Sequence, residues 1–171
     1  MAVMPNVMPN VKPNVKPNVM PNPTPSARVV ARTLREVRGC TFCAGHLPLA
    51  PRPILQLDPR AKILVAGQAP GRRAHDSGIP FSDASGERLR QWMGIHSTAF
   101  YDAEKVAILP MGLCFPGTGT GGDLPPRPEC APAWRERLLA MLPELKLTLV
   151  IGPFFPSHKT PVDAGSNFPD Y

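Results

Sequence analysis

Three short apolar runs set the frame for this chain. KILVAG (62–67), VAILPMG (106–112) and LTLVIG (147–152) each close on Gly. Continuous Val, Ile and Leu without polar alternation is the pattern of strands buried on both faces of a parallel sheet. Helical patterns lie between them, GERLRQWMGI (86–95) and APAWRERLLAMLPEL (131–145), with Pro132 suited to a first turn. A further helix is expected ahead of the first run. Ser26 caps it, Val29, Val30, Leu34 and Val37 share its apolar face, and Gly39 ends it. Alternating strands and helices predict a doubly wound α/β layer. After residue 152 periodicity is lost, so the sheet is expected to stop at three clear strands.

In such sheets a ligand sits beyond the carboxyl ends of the strands. The segment that leaves the first strand there reads GQAPGRRAHDSGIPFSD (67–83), broken by Gly and Pro and carrying Arg72 and Arg73. A loop of this kind holds a phosphate or a base, or is a long surface connection. The formal net charge of +6 leans weakly toward a polyanionic partner. Two arginines inside the loop are better evidence than the total.

The chain of 171 residues suits one domain with one core. Residues 1–25 repeat Pro-Asn-Val-(Met/Lys), and proline every fourth position removes backbone donors and forbids helix, so a disordered or polyproline-like tail is expected. That tail reads as an interaction segment or as an inert extension. It lacks the continuous apolar core of a secretory signal, and no stretch reaches the roughly 18 apolar residues of a membrane span. The expected organisation is therefore a tail (1–25), a folded domain (26–152) and an irregular C-terminal segment (153–171).

Four cysteines fall into two groups. Cys40 and Cys43 form a C-x2-C pair just after the first helix, and Cys114 and Cys130 form a C-x15-C pair that begins after the second strand. Four thiolates from two distant segments can surround one metal centre. Nothing in the sequence supports export, so disulfides are not expected. Zinc more often takes two tight C-x2-C pairs. Spacing alone leaves an iron–sulfur cluster, zinc and unligated thiols open.

The order C-x2-C, then G-x-A-P-G after a strand, then G-x-P-F, then C-x15-C resembles the iron–sulfur uracil-DNA glycosylases, the group known as family 4 with its family 5 relatives. The resemblance covers about two thirds of the chain, residues 38–152. It implies a three-layer α/β/α sandwich with a short parallel sheet and a 4Fe-4S cluster on Cys40, Cys43, Cys114 and Cys130. It also implies hydrolysis of the N-glycosidic bond of uracil, or a related damaged base, in DNA for base excision repair. The protein would work as a monomer in a bacterial-type cytoplasm, in association with the nucleoid. A non-catalytic, cluster-bearing nucleic-acid-binding relative is the alternative.

A glycosylase must flip its nucleotide out of the stack and then hold the base and the phosphates. Under the resemblance Gly67, Gln68, Ala69, Pro70 and Gly71 form the base loop, Phe81 stacks on the base, and Arg72 and Arg73 meet phosphates. Gln68 and His75 are the candidates for catalysis, His75 because imidazole exchanges protons near neutral pH. Asp76 and Asp83 read as polar loop residues that cap or turn the chain. Several positions depart from the family. Arg72, Arg73, Ala74 and His75 stand where many members are acidic. Pro110, which has no side-chain hydrogen bond to give, stands where members offer an Asn to the uracil edge. The His-Pro-Ser segment that closes the family's site is replaced by FPSHKTP (155–161), and the catalytic histidine is not carried onto His158. A truncated or frame-shifted member, weak or inactive on uracil DNA, is expected.

Overall fold

The computed structural model describes residues 24–152; the N-terminal repeat and the segment from 153 onward lie outside the described residues, as does His158. Helix α1 (Ala27–Arg38) begins where expected. The Ser26 hydroxyl accepts the Val29 N–H at 3.4 Å, a cap worth about 1 kcal/mol. Val30, Thr33 and Val37 form its buried face, and the Gly39 N–H returns to the Arg35 carbonyl to close it.

Strands β1 (Ile63–Ala66) and β2 (Val106–Ile108) pair in parallel, with Ile63 opposite Val106. The last described strand, β5 (Leu147–Val150), pairs in parallel with the other side of β1, giving the order β2-β1-β5. Alternation along β1 sends its side chains to two cores. Leu64 and Ala66 join Val30, Val37, Trp134 and Leu138, so α1 and α5 (Cys130–Leu139) cover one face. Val65 joins Leu89, Phe100 and Ile108, so α3 (Ala84–Met93) and α4 (Ser97–Phe100) cover the other. The result is the three-layer α/β arrangement expected. Leu64, Val65 and Leu138 are fully buried, and removing each such side chain from water contributes about 1.5–3 kcal/mol.

The two edges of the sheet are treated differently. Along β2 the extended segment before β1 lies alongside: Gln56 bridges Ile108, and its Nε2 donates to the carbonyls of Phe100 (2.9 Å) and Val106 (2.7 Å). This shields an edge that would otherwise offer free backbone groups. On β5, Leu147 and Val150 are exposed.

Several local expectations are corrected. The segment read as one long loop contains a helix, α2 (Arg72–Ser77), which places Arg72, Arg73 and His75 on a helical turn. The next helix starts at Ala84 rather than Gly86, because Asp83 caps it and accepts the Gly86 N–H at 3.1 Å. Helix α5 stops at Leu139 and is followed by tighter turns, Met141 N–H to Leu138 and Leu142 N–H to Leu139, before Pro143. Within the Cys114–Cys130 segment a two-stranded hairpin, β3 (Thr118–Gly119) and β4 (Gly122–Asp123), was not foreseen. Among the described residues no helix is long and apolar enough to cross a membrane.

Candidate active site

Beyond the ends of β1 and β2 the two following loops stay zipped together. The Met111 N–H donates to the Gly67 carbonyl at 2.9 Å, and the Gly112 N–H to that of Gln68 at 2.8 Å. The carbonyls of the base loop are thereby turned to one side. Among the described residues, no acceptor meets the backbone N–H groups of Gln68 and Ala69. Pro70 is buried, and Ala69 lies near Gly112, where an added Cβ would stand 3.5 Å from its methyl. The Gln68 side chain packs over Gly152, where a Cβ would overlap it. Pro110, at the exit of β2, is buried and offers the loop no side-chain donor.

Phe81 forms a wall beside this loop. Its ring edge stands 3.2 Å from where a Cβ on Gly67 would lie, so the absence of a side chain at 67 allows the approach. The ring meets fully buried Phe100 edge-on at 6.2 Å between centroids. Phe81 is only half-buried, so it is both anchored in the core beneath the site and open on one side.

Helix α2 follows directly from Gly71. Arg72 is exposed and turned back on its own helix, with Nε 3.0 Å from the Asp76 carboxylate. Arg73 is exposed and, among the described residues, has no ion-pair partner. The ring of His75 packs against Phe115 at 6.1 Å, and its Nδ1 is buried with no hydrogen-bond partner among the described residues. Only Nε2 is then left to exchange a proton with solvent. The helix ends at Gly78, left-handed with its N–H on the Ala74 carbonyl, and Arg52 Nη1 also donates to the carbonyls of His75 (2.6 Å) and Asp76 (2.9 Å).

All four cysteines line one pocket, partly open to solvent, together with Phe42, Trp134 and Arg127. The two C-terminal thiols are positioned by secondary structure, since Cys130 opens α5 and Cys114 follows the loop leaving β2. Two N–H groups point at sulfur. Trp134 Nε1 donates to Cys40 at 3.2 Å, and the Leu113 backbone donates to Cys130 at 3.3 Å. Burial, as the leading cause, pushes the thiols of Cys114 and Cys130 up to about 11 and raises that of Cys43. Nearby cysteine sulfurs add to each shift. Among the described residues no group of three or more His, Cys, Asp or Glu stands in the arrangement that holds a single metal ion. The donor set, with its apolar wall and N–H groups aimed at sulfur, fits a polynuclear cluster.

The four cysteines thus share one pocket and Phe81 stands against Gly67, whereas Arg72, Arg73 and His75 lie on α2. Arg52, Arg90, Tyr101 and Trp134 were not foreseen. For Trp134 a signal existed, because it lies one helical turn after Cys130 and so shares its face. Arg52 sits in an irregular Pro-flanked stretch whose sequence carries no period to read.

The layers, the strand order and the placement of the loops define a three-layer α/β protein, and in sheets of this kind ligands bind past the carboxyl ends of the strands. Residues 55–155 match the family model described as the Uracil DNA glycosylase superfamily. The match spans more than half of the chain, which belongs to that superfamily. It takes in the base loop, Phe81, Cys114 and Cys130, while Cys40 and Cys43 precede it.

Proposed function

We propose that this protein hydrolyses the N-glycosidic bond of uracil, or a related damaged base, in DNA, as an iron–sulfur member of its superfamily acting as a monomer in base excision repair. The observation that carries the reading is the Phe81 ring set against Gly67, beside backbone N–H groups of Gln68 and Ala69 that no described acceptor meets. A base flipped out of the duplex lies on the open face of Phe81 with its edge toward those N–H groups. As the bond from the sugar carbon to the base nitrogen breaks, the electron pair leaves with the base, and hydrogen bonds from the loop stabilise the departing anion. Water adds to the sugar cation and gives up a proton, for which His75 Nε2 is the candidate acceptor, and Gln68 is the candidate to orient the water. Arg73, and Arg72 once released from Asp76, meet phosphates on the flanking strand.

Cys40, Cys43, Cys114 and Cys130 would hold a 4Fe-4S cluster, which supplies a covalent staple between the end of α1, the β2 loop and the start of α5. A second reading, a DNA-binding relative without the chemistry, draws on Pro110, which gives the base edge nothing to read. Incubation with single-stranded and mismatched uracil oligonucleotides, followed by alkaline cleavage at abasic sites, separates them. Strand scission dependent on uracil and abolished in Phe81→Ala supports the enzyme. Binding without scission supports the second reading.

A further inference from the structure

We propose that Arg90 and Tyr101 are positioning residues that lock Phe81 into a preformed stacking wall; this rests on the reading of Phe81 as the face on which the flipped base lies. Among the described residues Phe81 is the one non-glycine residue with a positive φ, 53°. A bulky side chain seldom takes that conformation, and where it does the surroundings must hold it there.

Here they do so at the carbonyl. Tyr101 Oη donates to the Phe81 oxygen at 3.0 Å. Arg90 Nη1 lies 3.3 Å from that same oxygen and 3.1 Å from Tyr101 Oη, closing a triangle. The triangle is itself held from behind. The Arg90 guanidinium lies 5.5 Å from the Phe100 ring centre and 5.6 Å from that of Tyr101, and Phe100 meets Tyr101 edge-on at 5.1 Å. Gly86 completes the seat from α3, because a Cβ there would overlap the Phe81 oxygen and stand 2.7 Å from its carbonyl carbon.

The chemistry of these contacts suits a support rather than a ligand contact. Arg90 is half-buried and its charge is spent on a carbonyl and two rings, whereas a phosphate-binding arginine keeps its fork free. Without the two donors the Phe81 backbone relaxes toward negative φ and the ring swings away from Gly67. The planar base then finds no fixed partner, and ordering the ring is charged against binding.

The test measures recognition apart from catalysis. The full chain is titrated against a single-stranded oligonucleotide carrying 2′-fluoro-deoxyuridine, whose glycosidic bond resists cleavage, and against its counterpart with a tetrahydrofuran abasic site in that position. Fluorescence anisotropy gives the ratio of the two affinities. Phe81→Ala is expected to abolish the preference for uracil. Tyr101→Phe and Arg90→Met are each expected to lower it about fivefold, the scale of one lost hydrogen bond, with binding to the abasic strand unchanged. Arg90→Lys should restore part of it. If Phe81→Ala abolishes the preference while Tyr101→Phe and Arg90→Met leave it intact, the stacking reading stands and the clamp is overturned. If the wild type shows no preference, or Phe81→Ala keeps it, the stacking reading falls and takes the clamp with it. Should Arg90→Met fold poorly, Tyr101→Phe decides, since it removes one oxygen and keeps the ring contacts.

Discussion

Replacing Gly86 by Ala sets two physical effects of opposite sign against each other. Gly86 lies in the first turn of α3, and in an exposed helix Gly→Ala stabilises by about 1 kcal/mol through backbone entropy and propensity. At this position the new methyl would overlap the Phe81 oxygen and stand 2.7 Å from its carbon and 2.8 Å from its Cβ. The obstruction is main chain, so no side-chain rotation relieves it. Forcing the two segments apart costs about 1–3 kcal/mol as overpacking. It also stretches the hydrogen bonds from Tyr101 and Arg90 to the Phe81 oxygen, each contributing about 0.5–1.5 kcal/mol. Against the 1 kcal/mol gain, the net expectation is a loss of about 1–5 kcal/mol. Urea unfolding followed by circular dichroism measures it directly. Gly121→Ala, where a methyl meets nothing within 4 Å, serves as the control and should change stability by less than about 0.5 kcal/mol. A Gly86→Ala protein as stable as the wild type, or more so, would show that Phe81 and α3 are not pressed together as described.

Other outcomes follow from the charges and the thiols. Protein purified without oxygen should be brown, with broad absorption near about 400 nm, whereas a colourless preparation with stoichiometric zinc would sink the cluster. Trp134→Phe removes the N–H held against the Cys40 sulfur and should lower the cluster's reduction potential; an unchanged potential in redox titration would show the contact to be inert. Arg73→Ala should reduce the salt slope of DNA binding by about 0.7–0.9, and Arg72→Ala by less, because Asp76 already offsets Arg72. Equal slopes for both variants would refute that ordering. The Arg60 hydrogen bond, ahead of smaller terms, holds the Asp58 carboxyl below its ordinary range. A lowered folded pKa gives stability that is present above the unfolded value and lost as pH falls through the folded one. Asp58→Asn should therefore cost less than about 1 kcal/mol at pH 7 and progressively less below about pH 4, as read by unfolding at both pH values.

What could be read from the sequence was whatever repeats a local rule. The three strands were visible because both faces of β1 are covered, which forces an unbroken apolar run. The first helix was visible because Ser26 and Gly39 bracket one apolar stripe. Helix α2 was hidden: six residues carry too little periodicity, and although Gly78 ends it locally, the Arg52 donations to its last carbonyls come from twenty residues upstream. Phe81 could be singled out by motif, but not its left-handed backbone, since the residues that enforce it arrive from α3 and from the end of α4. The cysteine grouping was legible, while the shared pocket depends on packing that brings the end of α1 against the start of α5.

The strand order has a consequence for how the chain is made. β1 is the middle strand, yet its partners are roughly 40 and 80 residues downstream, so neither pairing is local. Loop-closure entropy grows only as the logarithm of length, and the longer pairing costs just about 0.6 kcal/mol more than the shorter. Timing separates them more than thermodynamics does. At ribosomal rates β5 is synthesised roughly 4–16 seconds after β1. During that interval one side of the central strand has its hydrogen-bonding groups unpaired, and Leu64 and Ala66 lack the cover of α5 for most of it. The nascent sheet is a two-stranded ribbon that must avoid pairing with a neighbouring chain, and β5, the strand that ends the danger, is the last described element to be made.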